Sequence, residues 1–280
     1  MLVRMDEILN RAKKEGYGVV APNVFNQDTI ESAIVAANKM RSPIIIAFGE
    51  MVDEGSIFEI GDIVRFYSRR FSEIPIALHL DHGKSYGSAV RAIRAGFTSI
   101  MVDGSELPFD ENVYLTKEIC KMAHAIEISV EAEIGHVGQG VQYDKDRDRG
   151  LTSAEEAVKF VEQTDVDCLA VAIGTAHGHY IGSPKLDFKR LETIKKEVNV
   201  PLVLHGGSST GDENLKKAVE LGISKVNIAT DLLTAGVKCI KDEFNQKKDL
   251  SYLDIIEAGA KGYGDMLTHY IRLFGSNNKI

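Results

Sequence analysis

Eight short apolar runs recur along the chain, each followed by a longer amphipathic segment. They are Tyr17–Ala21, Pro43–Ala47, Ile76–Leu80, Ser99–Val102, Glu127–Glu133, Cys168–Ile173, Pro201–Leu204 and Lys225–Ile228. Each is mostly β-branched or aliphatic and is bounded by proline, glycine or polar residues. Continuous rather than alternating apolarity is what a parallel strand buried on both faces requires. The intervening segments read as helices. Ser85 to Arg94 repeats apolar positions at helical spacing and stops at Ala95-Gly96. Ser153 with Glu156 three residues on has the pattern of a capping box. Asp212 to Leu221 is stopped by Gly222. Eight strands alternating with eight helices predict an α/β fold, a (β/α)8 TIM barrel. A dinucleotide-binding sheet would use about six strands and a Gly-rich loop after the first. Here Ala21-Pro22-Asn23-Val24 stands in that place.

The length of 280 residues fits one barrel, which runs to about 250 residues, plus a tail. The expectation is a single domain over 1–280. Residues 251–280 form a C-terminal extension of one or two helices, whose Ile255, Ile256, Met266, Leu267, Ile271 and Phe274 pack under the barrel or between subunits. Charge argues against nucleic acid as a partner: 33 basic minus 41 acidic residues leaves −8, with no basic stripe. Three widely spaced cysteines, Cys120, Cys168 and Cys239, argue against a disulfide framework and for a reducing cytoplasm. No apolar run approaches the roughly 18 residues that span a bilayer, and Met1 to Asp6 carries no apolar signal core.

In such a barrel, chemistry sits at the C-terminal ends of the strands. Of the 8 histidines, His79, His82, His136, His177, His179 and His205 fall at or just past a predicted strand end. His124 and His269 fall on helices, where a solvated or capping role is expected. The third run ends His79-Leu80-Asp81-His82, the sixth leads to His177-Gly178-His179, and the seventh ends Leu204-His205-Gly206. One histidine from each of three strand tops can hold one ion and leave a position open, as catalytic zinc requires. The alternative is three separately hydrogen-bonded histidines at the barrel mouth. Asp103 follows the fourth run, and Glu131 and Glu133 lie in the fifth. Alternation points both glutamates into the barrel, where one of them pairs with a lysine or arginine or serves the site. Gly206-Gly207-Ser208-Ser209 and Asn227 to Asp231 could cradle an anion on backbone amides and a helix N-terminus.

These residues carry a resemblance to the class II, zinc-dependent ketose-bisphosphate aldolases over essentially the whole length. It lies in Asn23-Val24-Phe25-Asn26, His79-Leu80-Asp81-His82, Val102-Asp103-Gly104-Ser105 and Val130 to Gly135. It continues in Ala170 to Gly178, Pro201 to Ser208, Val226 to Thr230 and Leu273-Phe274-Gly275-Ser276. The resemblance implies His82, His177 and His205 as ligands of a catalytic Zn2+. It implies Asp103 and Glu133 at a second divalent metal position, and Asp81 as the catalytic acid/base. Gly178, Gly206, Gly207, Ser208, Asn227, Ile228, Ala229 and Thr230 match the site for dihydroxyacetone phosphate, and Asn23 is a further substrate-binding candidate. A monovalent cation (K+ or Na+) near the phosphate and a homodimer or homotetramer are also implied. The reaction would be aldol cleavage of a ketose 1,6-bisphosphate, with fructose 1,6-bisphosphate first and tagatose 1,6-bisphosphate or another phosphorylated ketose as alternatives. A Schiff-base mechanism would need a lysine at a strand top, and Lys84 is the one that the sequence offers there.

Three places depart from the family pattern. Gly49 stands where relatives often carry a serine or threonine. The loop after the fifth run lacks the family's glutamate near Val141, leaving Tyr143, Asp144 or Asp146 as substitutes. Ser209-Thr210 replaces a glycine-hydrophobic pair. The missing glutamate also opens a reading from another class, a non-catalytic partner subunit that keeps the fold and binds phosphosugar.

Overall fold

The computed structural model describes residues 1–49, 56–140, 150–180, 184–247 and 249–280. Val141, Tyr143, Asp144 and Asp146 lie outside the described residues.

The expected barrel is present. Its strands are β1 (Val19–Pro22), β2 (Ile44–Gly49), β3 (Ile76–Gly83), β4 (Ser99–Val102), β5 (Ser129–Ile134), β7 (Cys168–Val171), β9 (Leu202–Leu204) and β10 (Ile223–Ile228). They pair in parallel in the order β1-β10-β9-β7-β5-β4-β3-β2. The ends of that order meet through an Asn23–Ala47 bridge, in which the Val24 N–H donates to the Ala47 carbonyl at 2.9 Å. Two short strands, β6 (Gly138–Gln139) and β8 (Ala176–His177), pair in parallel above the main sheet.

Each strand is followed, directly or across a loop, by a helix: α2 (Gln27–Met40), α3 (Ser56–Arg70), α4 (Tyr86–Arg94), α5 (Phe109–His124), α6 (Ala154–Thr164), α7 (Phe188–Glu197), α8 (Asp212–Glu220) and α9 (Thr230–Gln246). Local chemistry sets their starts. The Ser85 and Ser153 hydroxyls accept from the amides of Ser88 and Glu156. The expected capping box at Ser153 is only half formed: the Glu156 carboxylate accepts a hydrogen bond from the Ser153 hydroxyl at 2.7 Å instead of from the Ser153 amide.

Two further helices complete the described chain. The N-terminal α1 (Met5–Glu15) was not anticipated from the strand pattern. Its Met5, Leu9 and Ala12 pack with Val19, Ala21, Ile45, Ala77 and Val203 and plug the N-terminal end of the barrel. The tail is one helix, α10 (Tyr252–Leu273), started by a capping box between Ser251 and Asp254. It lies along α9 and α2, on the flank of the barrel and not beneath it.

Strand alternation divides the core in two. Ile44, Ile46, Leu78, Leu80, Val130 and Ala132 face outward to the helices. Residues of the opposite parity face the barrel axis: Ala77, His79 and Asp81 on β3; Ser129, Glu131 and Glu133 on β5; Lys225 and Asn227 on β10. Burial of the outward set against helices is the main source of stability, at about 25 cal/mol per Å² of apolar surface. The inward set is where polar groups collect.

Candidate active site

At the C-terminal end of the barrel the structure brings together His82, His177, His205, Asp81, Asp103 and Glu133. The three imidazoles meet edge to face, with ring centroids 4.7 Å apart for His82 and His205, 5.1 Å for His82 and His177, and 6.1 Å for His177 and His205. One ring nitrogen from each lies within 4.8 Å of the others, and His82, Asp103 and Glu133 form a second such group.

Each histidine arrives by a different local device. His82 sits in left-handed backbone, at φ 53°, where the β3–β4 register shifts between Leu80 and Gly83. His177 lies beyond the end of β7, in the short strand β8, so its position depends on the pairing of β8 with β6 in the loop after β5. His205 directly follows β9 and precedes Gly206, which has φ 66° and whose added Cβ would stand 2.5 Å from the Ala176 carbonyl oxygen. Only glycine lets the chain turn that close to its neighbour.

Hydrogen bonds assign the ring nitrogens. His205 Nε2 is 2.8 Å from Glu131 Oε1, and its Nδ1 is buried without a partner. Burial and the charges of His82 and Lys225 hold His205 neutral, well below the ordinary histidine pKa. A carboxylate only accepts, so Nε2 carries the proton and Nδ1 presents a bare lone pair. His82 Nδ1 is 2.8 Å from Asp103 Oδ2, leaving Nε2 for the site. Burial disfavours charge on His82, but Asp81, the Asp103 hydrogen bond and Glu133 outweigh it and raise its pKa to about 9. For His177, burial and the nearby His82 lower it to about 4.

Asp81 is buried and held from two sides. Asn23 Nδ2 donates to its Oδ2 at 2.7 Å, and Asn227 Nδ2 to its Oδ1 at 3.0 Å. Burial would raise its pKa, but His82, His205, Lys225 and the Asn23 hydrogen bond keep it a carboxylate below the usual range. Asp103 is likewise held low against burial by His82 and Ser105. Glu133 is raised to about 8 by burial and by Asp103. Its Oε1 accepts from the Val137 amide at 3.2 Å, and its Oε2 is buried without a partner.

His205 Nδ1 and Glu133 Oε2 are both orphaned, and each belongs to one of the two convergent groups. Buried polar atoms ordinarily have partners. A divalent cation held by either group would satisfy the orphan in that group, so the residues present fit a metal.

The loop after β9 and the start of α9 form one unit. The Gly207 amide donates to the Asn227 carbonyl at 3.1 Å, and the Ser208 hydroxyl accepts from the Ala229 and Asp231 amides at 3.1 and 3.3 Å. Ser208 thus caps α9 itself. Gly206, Gly207 and Ser208 are buried, while Gly178, Ala229 and Thr230 are half-buried at the mouth. Ile228 is fully buried, with its side chain in the outer core, so it can offer the site only backbone.

Several expectations need correction. His79 is not at the mouth: it is fully buried in the barrel, its Nδ1 2.9 Å from Ser99 Oγ and its Nε2 3.3 Å from Lys225 Nζ. His136 and His179 do lie just past β5 and β8, as expected, and are exposed. Lys225 lies inside the barrel, below the strand tops, and pairs with Glu131 at 2.7 Å. Glu131, rather than Glu133, is therefore the glutamate with a basic partner. Lys225 and Asn227 alternate on one strand, a signal that reading Lys225 as the edge of an apolar run concealed. Neither Tyr180, whose hydroxyl accepts from the Ala176 amide at 2.7 Å, nor Tyr270, which donates to Asp231 at 2.6 Å, stood out in the sequence.

A barrel mouth that joins three histidines to a neighbouring carboxylate is the site of an enzyme. Residues 3–279 match the family described as class-II fructose-bisphosphate aldolase. The chain belongs to that family and is a class II aldolase, a carbon–carbon lyase acting on phosphosugars, in a family generally dependent on zinc. It is 41% identical over 280 residues to a sulfofructosephosphate aldolase of Alkalicoccus urumqiensis, covering 97% of this chain and 96% of that protein. The crystal structure of the YdjI aldolase from Escherichia coli K12 superposes with a TM-score of 0.87 at 33% identity, covering 100% of this chain and 99% of that one. A fructose-bisphosphate aldolase of Campylobacter jejuni shares the fold, with a TM-score of 0.80 at 22% identity over 100% of this chain and 97% of that one. Among the described residues, no helix is long and apolar enough to cross a membrane.

Proposed function

We propose that the chain cleaves, and in reverse forms, the C3–C4 bond of a ketose carrying a phosphate on C1, with dihydroxyacetone phosphate as one product. Fructose 1,6-bisphosphate, which would give glyceraldehyde 3-phosphate as the other product, is the first candidate, and tagatose 1,6-bisphosphate is its epimeric alternative. The observation that carries this reading is the meeting of His82, His177 and His205 beside Asp81, with one nitrogen of each within 4.8 Å of the others.

His82, His177 and His205 would hold a zinc ion through Nε2 of His82, Nδ1 of His205 and one ring nitrogen of His177. Bound there, zinc supplies Lewis-acid stabilisation of the negative charge that develops on the ketose oxygens. Asp103 and Glu133, with His82, form a second position for a divalent ion. The remaining chemistry belongs to the chain. Asp81 takes the C4 hydroxyl proton during cleavage and returns it during condensation. Asn23 and Asn227 donate to its two oxygens and orient it. The half-buried backbone of Gly178 and Thr230 meets the C1 phosphate beside Ala229, whose own amide Ser208 holds, with the N-terminus of α9 favouring negative charge. A monovalent cation beside the phosphate belongs to the same reading. The enzyme works in the cytoplasm as a homodimer or homotetramer. Exposed Leu233, Val237 and Phe244 on α9, with Tyr252 and Leu253, support assembly.

A second reading concerns the far end of the substrate. The Alkalicoccus relative favours a sulfonate in place of the 6-phosphate, with the same bond cleaved. The test compares aldehyde release from fructose bisphosphate, tagatose bisphosphate and sulfofructose phosphate, each before and after complete chelation. Full activity without metal would sink the mechanism. A kcat/KM at least tenfold higher for the sulfonate would establish the second reading. Absence of both cleavage and C3-proton exchange in dihydroxyacetone phosphate would favour the non-catalytic subunit.

A further inference from the structure

The layer of the barrel directly beneath the three histidines is ionic. Barrel interiors are ordinarily filled by branched apolar side chains. Here Glu131 from β5, Lys225 from β10 and His79 from β3 meet on the axis, all three fully buried. The Lys225 ammonium has three hydrogens and three acceptors: Glu131 Oε1 at 2.9 Å, Glu131 Oε2 at 2.7 Å and His79 Nε2 at 3.3 Å. His79 is thereby set with its proton on Nδ1, toward Ser99 Oγ. Glu131 also accepts on Oε1 from His205 Nε2 at 2.8 Å, and on Oε2 from the Cys168 thiol at 3.6 Å.

An ion pair in such a place is not explained by stability alone. Taking two charges out of water costs several kcal/mol per ion, and apolar replacements of similar volume often stabilise a fold. What this pair does that an apolar pair could not is present a fixed acceptor to His205.

We propose that Lys225 and Glu131 form a positioning clamp that selects the tautomer of His205 and turns its Nδ1 lone pair into the active site. Lys225 grips both carboxylate oxygens, so Glu131 cannot rotate away. Glu131 then requires a hydrogen on Nε2 of His205. Neither residue reaches the mouth, and both act through His205. The proposal rests on the reading of His205 as a metal ligand for its consequence, though not for the tautomer itself.

Two measurements separate these. Nitrogen-15 NMR of the histidine rings in the metal-free protein reads the tautomer directly, and competition with a chelator reads Zn2+ affinity. The variants are Lys225→Met, Lys225→Met with Glu131→Leu, and Lys225→Met with Glu131→Gln. The single variant leaves a buried carboxylate unpaired and lowers Tm, and it can fail to fold. The Met/Leu pair restores an apolar layer and recovers Tm toward wild type. The expected result for that folded pair is loss of the single Nε2–H form of His205 and zinc affinity 10- to 100-fold weaker, the usual scale for removing a partner of a metal ligand. The Met/Gln pair keeps an amide oxygen as acceptor and recovers most of the affinity. An unchanged His205 tautomer in the Met/Leu pair would overturn the clamp. An altered tautomer with wild-type zinc affinity would leave the clamp standing and overturn the reading of His205 as a ligand.

Discussion

Asp81 and His82 are neighbours in a β-strand, yet both face the same cavity. Consecutive strand residues point to opposite faces. Here Leu80 faces the helices and Asp81 the barrel axis, so His82 should face outward again. Its left-handed φ of 53°, at the register shift after Leu80, swings the imidazole back over the axis to Asp103, 2.8 Å away. A non-glycine residue in this region is strained, and such strain collects at functional sites.

Dividing the labour between these two neighbours gives the first prediction. Asp81→Asn keeps the size of the side chain and leaves the three imidazoles in place. We expect turnover to fall by roughly 10²- to 10⁴-fold, the usual contribution of a general acid/base, with bound metal unchanged by elemental analysis. Turnover within threefold of wild type would remove Asp81 from its role.

Metal uptake should release a proton. In the metal-free protein His82 has a pKa of about 9 and is charged at pH 7. Ligation requires the neutral ring. Apparent zinc affinity is therefore expected to rise about tenfold per pH unit up to about pH 9 and then level off. Calorimetry in two buffers of different ionisation heat counts the proton, and a count of zero at pH 7 would refute the assignment.

The same groups set the pH dependence of the metal-free fold. His82 is raised from 6.5 to about 9, and Glu133 from 4.5 to about 8. A raised pKa contributes stability that is complete below the unfolded value and is lost as pH rises through the folded one. Glu133 therefore withdraws its share between pH 4.5 and about 8, and His82 between pH 6.5 and about 9. His177 and His205, held below the ordinary histidine value, act in the opposite sense up to the unfolded value of 6.5, so Tm of the chelated protein should fall from about pH 7.5 to 9, and saturating zinc should flatten that fall. A metal-free Tm that rises over this range would contradict both shifts.

Gly206→Ala should be costly. The left-handed φ of 66° carries a strain of roughly 1–2 kcal/mol for alanine, and its Cβ would stand 2.5 Å from the Ala176 oxygen. We expect a stability loss above about 2 kcal/mol and weaker metal binding, because both His177 and His205 border this contact. Urea titration of the metal-free variant measures the first, and a loss below 0.5 kcal/mol would show that the backbone relaxes easily.

Gly49→Ser should be tolerated. A Cβ at Gly49 meets nothing within 4 Å, and the residue pairs in register with Asp81 across β2 and β3. We expect an unchanged Tm and a shift in kcat/KM between the bisphosphates and sulfofructose phosphate, since the added hydroxyl stands beside the Asp81 carboxylate. Equal effects on all three substrates would show that position 49 does not read the sugar.

Much of the molecule follows from the one-dimensional pattern. Eight continuous apolar runs can be buried on both faces only as a parallel sheet wrapped by helices, and the strand ends then place His82, His177 and His205 at one rim. Residue order alone could not decide how those groups are aimed. The turn of His82 comes from a register shift between strands, the seat of His177 from the pairing of β8 with β6, and the free nitrogen of His205 from Glu131. Lys225 remained hidden because its meaning depends on a partner 94 positions away. Alternation says which side of a strand a residue takes. Only closure of the barrel, which brings β3, β5 and β10 onto a common axis, decides which polar groups meet there, because a buried charge is tolerated only where the fold supplies its partner.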